Sequence, residues 1–130
     1  MNPARLWLVR HAQPLVAAGT CYGRLDLPAD ATATQAAAQR LAQALPTGAT
    51  AHCSTLQRCE QLALSTQALR PDLTINRDDR LREMDFGAWE GRAWDHIGQR
   101  AIDAWSADFA LHRPGGGDNL AELLARVAAA

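Results

Sequence analysis

The chain has 130 residues, of which 48% are hydrophobic and 21% are charged, and its formal net charge is −1. These values exclude a disordered chain and predict a single globular domain without electrostatic attraction to nucleic acid or anionic membranes. The apolar runs are too short for a membrane-spanning helix, and the brief one that ends at Arg10 does not fit a secretory signal. We therefore expect a cytoplasmic protein with neither nucleic-acid nor membrane partners.

The first third of the chain predicts a strand, a long loop and a helix. Arg5–Val9 is continuously apolar after its first residue, which is typical of a short buried strand. Residues 10–30 contain several prolines and glycines and predict a loop, whose length is typical of a functional segment. Apolar residues at helical spacing then predict a helix over residues 31–45, ended by Pro46 and Gly48.

The middle third continues this alternation of strands and helices. Ala49–Cys53 predicts a second short strand, and Ser54 or Thr55 could cap the helix that follows. The helical pattern extends to Leu69, beyond which a proline stops it. Leu73–Asn76 predicts a third strand.

The last part of the chain is mostly helical. Residues 78–91 form a polar, glycine-containing connection, and helical patterns follow over residues 93–100 and 102–109. After a glycine-rich loop, Asn119 and Glu122 have the spacing of a capping box and predict a final helix.

Strands that alternate with helices predict an α/β fold, which we expect to be a three-layer α/β/α sandwich with a mostly parallel sheet. In such sheets ligands bind beyond the carboxyl ends of the strands. Arg10 and His11 directly follow the first predicted strand, Arg58 follows the second, and Glu83 follows the third after a short connection. The sequence therefore predicts that these four side chains share one site.

These residue types fit phosphoryl transfer. The guanidinium groups of Arg10 and Arg58 can hold the oxygens of a phosphate dianion with paired hydrogen bonds. A neutral imidazole at His11 is a competent nucleophile, and a protonated Glu83 can give its proton to the departing alkoxide. The arginines balance the charge of the phosphoryl oxygens, so this chemistry needs no metal and no cofactor.

Four segments resemble the histidine phosphatase, or phosphoglycerate-mutase-like, superfamily. Leu8–Ala12 is similar to the family signature, with alanine where glycine is usual. Ser54–Cys59 and Leu81–Gly91 are similar to its second and third blocks. Cys21–Pro28 resembles the rim segment of the α-ribazole phosphatase-like branch.

The resemblance implies a metal-independent phosphomonoester hydrolase that acts on a small phosphorylated substrate. It implies α-ribazole-5'-phosphate, an intermediate of cobalamin biosynthesis, as the specific substrate. It also implies a role for each site residue. These are phosphorylation of His11, proton donation by Glu83, phosphate binding by Arg10 and Arg58, and substrate contact by Tyr22 and Gly23.

Family members continue beyond the last predicted helix into a strand that carries a second histidine. The resemblance therefore implies that residues 1–130 correspond to the N-terminal two-thirds of one phosphatase domain. Two alternatives stay open from the sequence. One is a phosphoglycerate mutase, and the other is a non-catalytic phosphate-binding remnant. A homodimer is compatible with either reading.

Other residues admit two interpretations. Trp89, Trp94 and Trp105 could line a substrate site, but such residues more often pack helices together, and we favour packing. Arg113, beside three glycines, could bind a second anion, although an ordinary turn is the better reading. Three cysteines, an odd number, predict neither a disulfide framework nor a metal site.

Overall fold

The computed structural model describes residues 3–130, and strands alternate with helices in the middle of the chain. Three short 3₁₀ turns connect the later elements, at Asp79–Leu81, Gly87–Trp89 and Pro114–Gly116. The regular elements are α1 (Ala31–Ala44), β1 (Thr50–Cys53), α2 (Gln57–Leu69), β2 (Thr74–Arg77), α3 (Trp94–Ile97), α4 (Gln99–Ala107) and α5 (Leu120–Ala128).

Strands β1 and β2 form a parallel pair, with Thr50 opposite Thr74 and Cys53 opposite Arg77. Helix α2 connects the two strands and packs against both, while α1 packs against α2. The sequence placed these two strands correctly to within a residue. The α/β class with parallel strands is therefore confirmed.

The first predicted strand is wrong. Residues 5–9 adopt no strand, and Leu6 and Leu8 are 85% and 88% exposed. A strand forms only where a neighbour accepts its backbone hydrogen bonds, and in the described part of the chain no residue pairs with this segment. The apolar pattern of residues 5–9 predicts burial, but it does not identify the residues against which the segment would pack.

Helix α1 begins at the predicted residue and ends one residue before the predicted end; its start is capped by an adjacent side chain and its end by a distant one. Asp30 caps its start, where the Ala33 N–H donates to Oδ2 over 2.7 Å. At its end Arg70 donates to the carbonyl oxygens of Ala42 and Leu45, over 2.7 and 2.9 Å. These bonds satisfy carbonyl groups that a helix end leaves without partners.

Helix α2 does not begin with the predicted cap. Ser54 accepts a hydrogen bond from the Leu56 N–H, but the helix starts at Gln57 and Leu56 is its N-cap. The Gln57 N–H instead donates to Asp26 Oδ1 over 2.7 Å. Asp26 belongs to the long loop, 31 residues earlier, so a cap search among adjacent residues could not find it.

The helices after residue 93 are divided differently from the prediction. Gly98, with φ +91°, separates α3 from α4, because this left-handed backbone conformation interrupts a helix and favours glycine. Trp89 and Phe86 each pack edge-to-face against both Trp94 and Trp105, with ring centroids 5.7 to 6.2 Å apart. The packing role predicted for the tryptophans is confirmed.

The final helix begins as predicted. Asn119 Oδ1 accepts a hydrogen bond from the Glu122 N–H over 2.8 Å, which is one half of a capping box. The Glu122 carboxylate pairs with Arg113 instead of returning to the cap. Arg113 also donates to the Gly117 carbonyl, so its charge is neutralised within the turn. Among residues 3–130, no helix combines the length and apolar character needed to cross a bilayer.

Candidate active site

The imidazole of His11 lies against the buried guanidinium of Arg58. Arg58 Nε donates to His11 Nε2 over 3.2 Å, and His11 Nδ1 donates to the Ala12 carbonyl oxygen over 2.7 Å. A carbonyl can only accept, so these partners place the ring proton on Nδ1 and leave the lone pair on Nε2. The predicted meeting of these two residues is therefore found in the structure.

The surroundings of His11 favour the neutral ring. Partial burial lowers the pKa of His11 below its usual value, and the charges of Arg58 and Arg10 lower it further. The hydrogen bond to Ala12 and the charge of Glu83 act in the opposite direction, but the net shift is downward. A neutral imidazole with its lone pair on Nε2 is a nucleophile once that nitrogen faces a phosphorus atom instead of the Arg58 N–H.

Arg58 is 1% exposed although it lies in the first turn of α2. Nη1 donates to the Leu25 carbonyl oxygen over 2.7 Å and Nη2 to that of Gly23 over 2.5 Å. Its Cζ lies 5.2 Å from the centre of the Tyr22 ring. Among the described residues no carboxylate forms an ion pair with Arg58. Within the described residues the charge of this buried cation is thus compensated by hydrogen-bond acceptors and the Tyr22 ring instead of by a carboxylate.

Arg10 and Glu83 lie at the edge of this centre. Both residues are exposed, and both are close enough to His11 for their charges to act on its pKa. Glu83 Oε1 accepts a hydrogen bond from the Met84 N–H over 2.9 Å. Arg58 thus contacts the His11 imidazole, and Arg10 and Glu83 are close enough for their charges to act on it, although the first of the three predicted strands is not formed.

Residues 21–28, which we call the rim segment, pack against the segment that carries Glu83. Gly23 is buried, and a Cβ atom there would lie 2.1 Å from the Met84 carbonyl oxygen and 2.7 Å from the Phe86 ring. Only glycine permits this close approach. Tyr22 is half-buried over Arg58, so both residues predicted to contact substrate lie beside the guanidinium.

Two acidic residues at this site were missed by the sequence analysis. Asp26 caps α2, as described above, and Glu90 accepts backbone hydrogen bonds from the rim segment. Both residues lie inside the segments singled out from the sequence. Their roles depend on contacts between segments more than 30 positions apart, for which the sequence contains no local signal.

A cavity of about 350 Å³ lies beside Glu83. Side chains of both charges line it, including Arg24, Arg82, Arg126 and Asp118. A depression of about 570 Å³ elsewhere is lined by Pro14, Val16 and neighbouring residues and contains none of the predicted site residues. Of the predicted site residues the smaller cavity is lined by Glu83 alone, and not by Arg10, His11 or Arg58.

Solved structures resemble this chain along most of its length. The protein TTHB049 from Thermus thermophilus is 31% identical with a TM-score of 0.74, over 93% of this chain and 67% of that one. A mycobacterial glucosyl-3-phosphoglycerate phosphatase is 29% identical with a TM-score of 0.73, over 89% of this chain and 56% of its own. That phosphatase has also been solved in complex with VO3.

A structure described as mycobacterial hydrolase 2 is 28% identical with a TM-score of 0.74, over 92% of this chain and 52% of that one. The chain thus spans about half the length of both mycobacterial relatives. Among curated proteins none matches the sequence. The model of the histidine phosphatase superfamily (branch 1) matches residues 6–130. This match covers nearly the whole chain, and the protein belongs to the histidine phosphatase superfamily.

Proposed function

We propose that the protein is a metal-independent phosphomonoester hydrolase that transfers the phosphoryl group to His11 and then to water. The observation that carries this proposal is the buried guanidinium of Arg58, which contacts His11 Nε2 without a carboxylate partner in the described residues. A buried charge is costly unless it is compensated, and a phosphate dianion would compensate it. Arg58 has five N–H groups and uses three of them, so two are free for phosphate oxygens.

In the first step His11 Nε2 attacks phosphorus and takes the place of the leaving alkoxide. Glu83, in its protonated form, gives its proton to that alkoxide, so an alcohol departs and a carboxylate is left. In the second step this carboxylate takes a proton from water as the water oxygen attacks the phosphohistidine. Inorganic phosphate leaves, and His11 recovers its lone pair. Arg10 and Arg58 hold the phosphoryl oxygens in both steps.

The substrate of this reaction is a small phosphomonoester, and two candidates have specific support. The likeness of the rim segment to the α-ribazole phosphatase-like branch supports α-ribazole-5'-phosphate. The 29% identity to a glucosyl-3-phosphoglycerate phosphatase supports glucosyl-3-phosphoglycerate as the second candidate substrate. A panel that contains both compounds and measures released inorganic phosphate separates the two candidates.

The covalent intermediate is the feature to test first. Acid-labile, base-stable label should appear on the full-length protein after reaction with a ³²P-labelled substrate, and His11→Ala should remove it. His96 is an exposed histidine outside the site, so His96→Ala is the matched control and should keep the label. Label on another residue type, or turnover without label, would contradict the mechanism.

The same protein distinguishes the two alternatives. A phosphoglycerate mutase would isomerise phosphoglycerate faster than it releases inorganic phosphate. A non-catalytic remnant would bind orthovanadate, an analogue of the transferring phosphoryl group, without hydrolysing any phosphomonoester. We expect orthovanadate binding together with phosphate release, and without isomerisation.

A further inference from the structure

Glu90 makes an unusual set of contacts for a half-buried acid. Among residues 3–130 it has no ion pair with a basic side chain. Its two carboxylate oxygens instead accept four backbone hydrogen bonds. The donors are Arg24 (2.8 Å), Gly23 (3.0 Å), Phe86 (3.0 Å) and Leu25 (3.3 Å). Bonds to a charged acceptor are roughly twice as strong as neutral ones, so this carboxylate fixes the backbone of residues 23–25.

The opposite side of the same backbone is held by Arg58. The carbonyl oxygens of Gly23 and Leu25 accept hydrogen bonds from Nη2 and Nη1 of that residue, over 2.5 and 2.7 Å. Residues 23–25 therefore lie between an anion on their N–H side and a cation on their carbonyl side. Both charges interact favourably with the peptide dipoles between them.

The orientation of Arg58 in turn determines its contact with His11. A guanidinium is planar and its five N–H groups keep fixed directions. Two of these directions are set by the rim carbonyls, and the third brings Nε to 3.2 Å from His11 Nε2. A displacement of residues 23–25 would rotate the whole guanidinium and break its contact with the imidazole.

We propose that Glu90 is a positioning residue for the phosphoryl-transfer reaction, because it holds residues 23–25 in the place that aligns Arg58 with His11. This inference rests on the proposed function. The hydrogen bonds of Glu90 among residues 3–130 all come from backbone N–H groups, and none joins it to His11 or Arg58. Its effect on catalysis should therefore depend entirely on Arg58.

A double-mutant cycle on the full-length protein tests this dependence. Glu90→Gln keeps the shape of the side chain but replaces one acceptor oxygen by an amide that can only donate. We expect kcat/KM for a phosphomonoester to fall about 10- to 100-fold, the effect of misplacing a catalytic group by a fraction of an ångström to an ångström. In an Arg58→Ala background the same substitution should change kcat/KM by less than about 3-fold, because the group that it misplaces is gone.

Asp30→Asn provides a matched control. Asp30 is another carboxylate that accepts a backbone hydrogen bond, but it caps α1 and does not reach Arg58. Its substitution should have the same effect with and without Arg58. If Glu90→Gln also has equal effects in both backgrounds, Glu90 has a general structural role and the proposal is wrong.

The pKa of His11, followed by NMR of its ring protons, gives a readout that does not need activity. Arg58 and Arg10 lower this pKa and Glu83 raises it. Loss of the Glu90 charge would by itself lower the pKa of His11, whereas release of Arg58 would raise it. We expect an increase in Glu90→Gln and no increase when Arg58 is already alanine.

The outcomes separate the two proposals. A wild-type protein that hydrolyses no phosphomonoester contradicts the proposed function, whatever the pKa shows. An active wild type with a Glu90→Gln variant whose His11 pKa is unchanged or lower contradicts the positioning role alone. If Glu90→Gln shows no cooperative unfolding in denaturant, it is not folded, and Glu90→Asp replaces it in the cycle. Aspartate keeps the negative charge but has a side chain shorter by one methylene group.

Discussion

The charge state of His11 is the property of a single residue on which the proposed chemistry depends. Burial and the charges of two arginines lower the pKa of His11 from its usual value, which favours the neutral ring at pH 7. We expect NMR titration to give a pKa below 6.5. Arg10→Ala should raise it, and Arg5→Ala, at an exposed position in the same segment, should leave it unchanged.

The same pKa shift has a consequence for stability. Below pH 6.5 the unfolded chain binds a proton at this histidine more readily than the folded chain. The contribution of His11 to the free energy of unfolding is therefore full above pH 6.5 and decreases as the pH falls below it. A His11→Asn variant should show a weaker fall over that range in urea titrations at several pH values. If the free energy of unfolding depends on pH equally in the variant and the wild type, the lowered pKa of His11 is contradicted.

The proton-donor role of Glu83 can be separated from a general electrostatic role. An alkoxide needs a proton to leave, whereas a nitrophenolate leaves without one. Glu83→Gln should therefore reduce kcat on an alkyl phosphate at least about 100-fold, within the range that general acids contribute, and should affect p-nitrophenyl phosphate far less. Glu60→Gln, which removes a carboxylate paired with Arg77 outside the site, is the control. Equal losses on both substrates would exclude the role.

At the scale of the elements, the start of α5 depends on one side chain. Asn119 is 8% exposed, and its Oδ1 accepts the hydrogen bond of the Glu122 N–H. Asn119→Ala should lower the free energy of unfolding by about 1 kcal/mol, the usual effect of removing such a cap. Asn119→Asp retains an acceptor oxygen and should restore most of the loss. Chemical denaturation of the three proteins measures the difference, and an alanine variant as stable as the wild type would show that the cap is dispensable.

For the whole molecule, the exposed apolar segment of residues 6–9 is the feature with the largest expected effect. Leu6 and Leu8 present apolar side chains to solvent in a segment whose backbone pairs with no strand among the described residues, and such a segment favours association with another chain. We expect a polypeptide of residues 1–130 to self-associate at micromolar concentrations. Leu6→Lys with Leu8→Lys should yield a monomer with little change in stability, about 0.5 kcal/mol or less, because both positions are exposed.

Sedimentation velocity measures this association. Leu124→Lys is the matched control, since Leu124 is an exposed leucine on α5 with 61% of its surface accessible. It should leave the oligomeric state unchanged. Dissociation by Leu124→Lys to the same extent would place the contact elsewhere on the surface.

The sequence by itself was sufficient for features that neighbouring residues determine. Periodicity and turn residues located α1, α2 and both strands to within a few positions, because apolar spacing and helix-ending residues act over one or two turns. The order of the motifs also named His11, Arg58 and Glu83 as members of one site. In the structure Arg58 contacts His11, and the charge of Glu83 acts on the pKa of that histidine.

Only the tertiary structure decided how that site is held together. Its contacts join segments at least 25 residues apart. They are the helix caps by Asp26 and Arg70, the hydrogen bonds that bury Arg58 and the hydrogen bonds from the rim segment to Glu90. Residues 5–9 are the converse case, in which an apolar pattern that predicts a strand finds no pairing partner among the described residues, and the prediction is wrong. A local pattern indicates which secondary structure a segment favours, whereas its hydrogen-bonding partner is determined only when the whole chain folds.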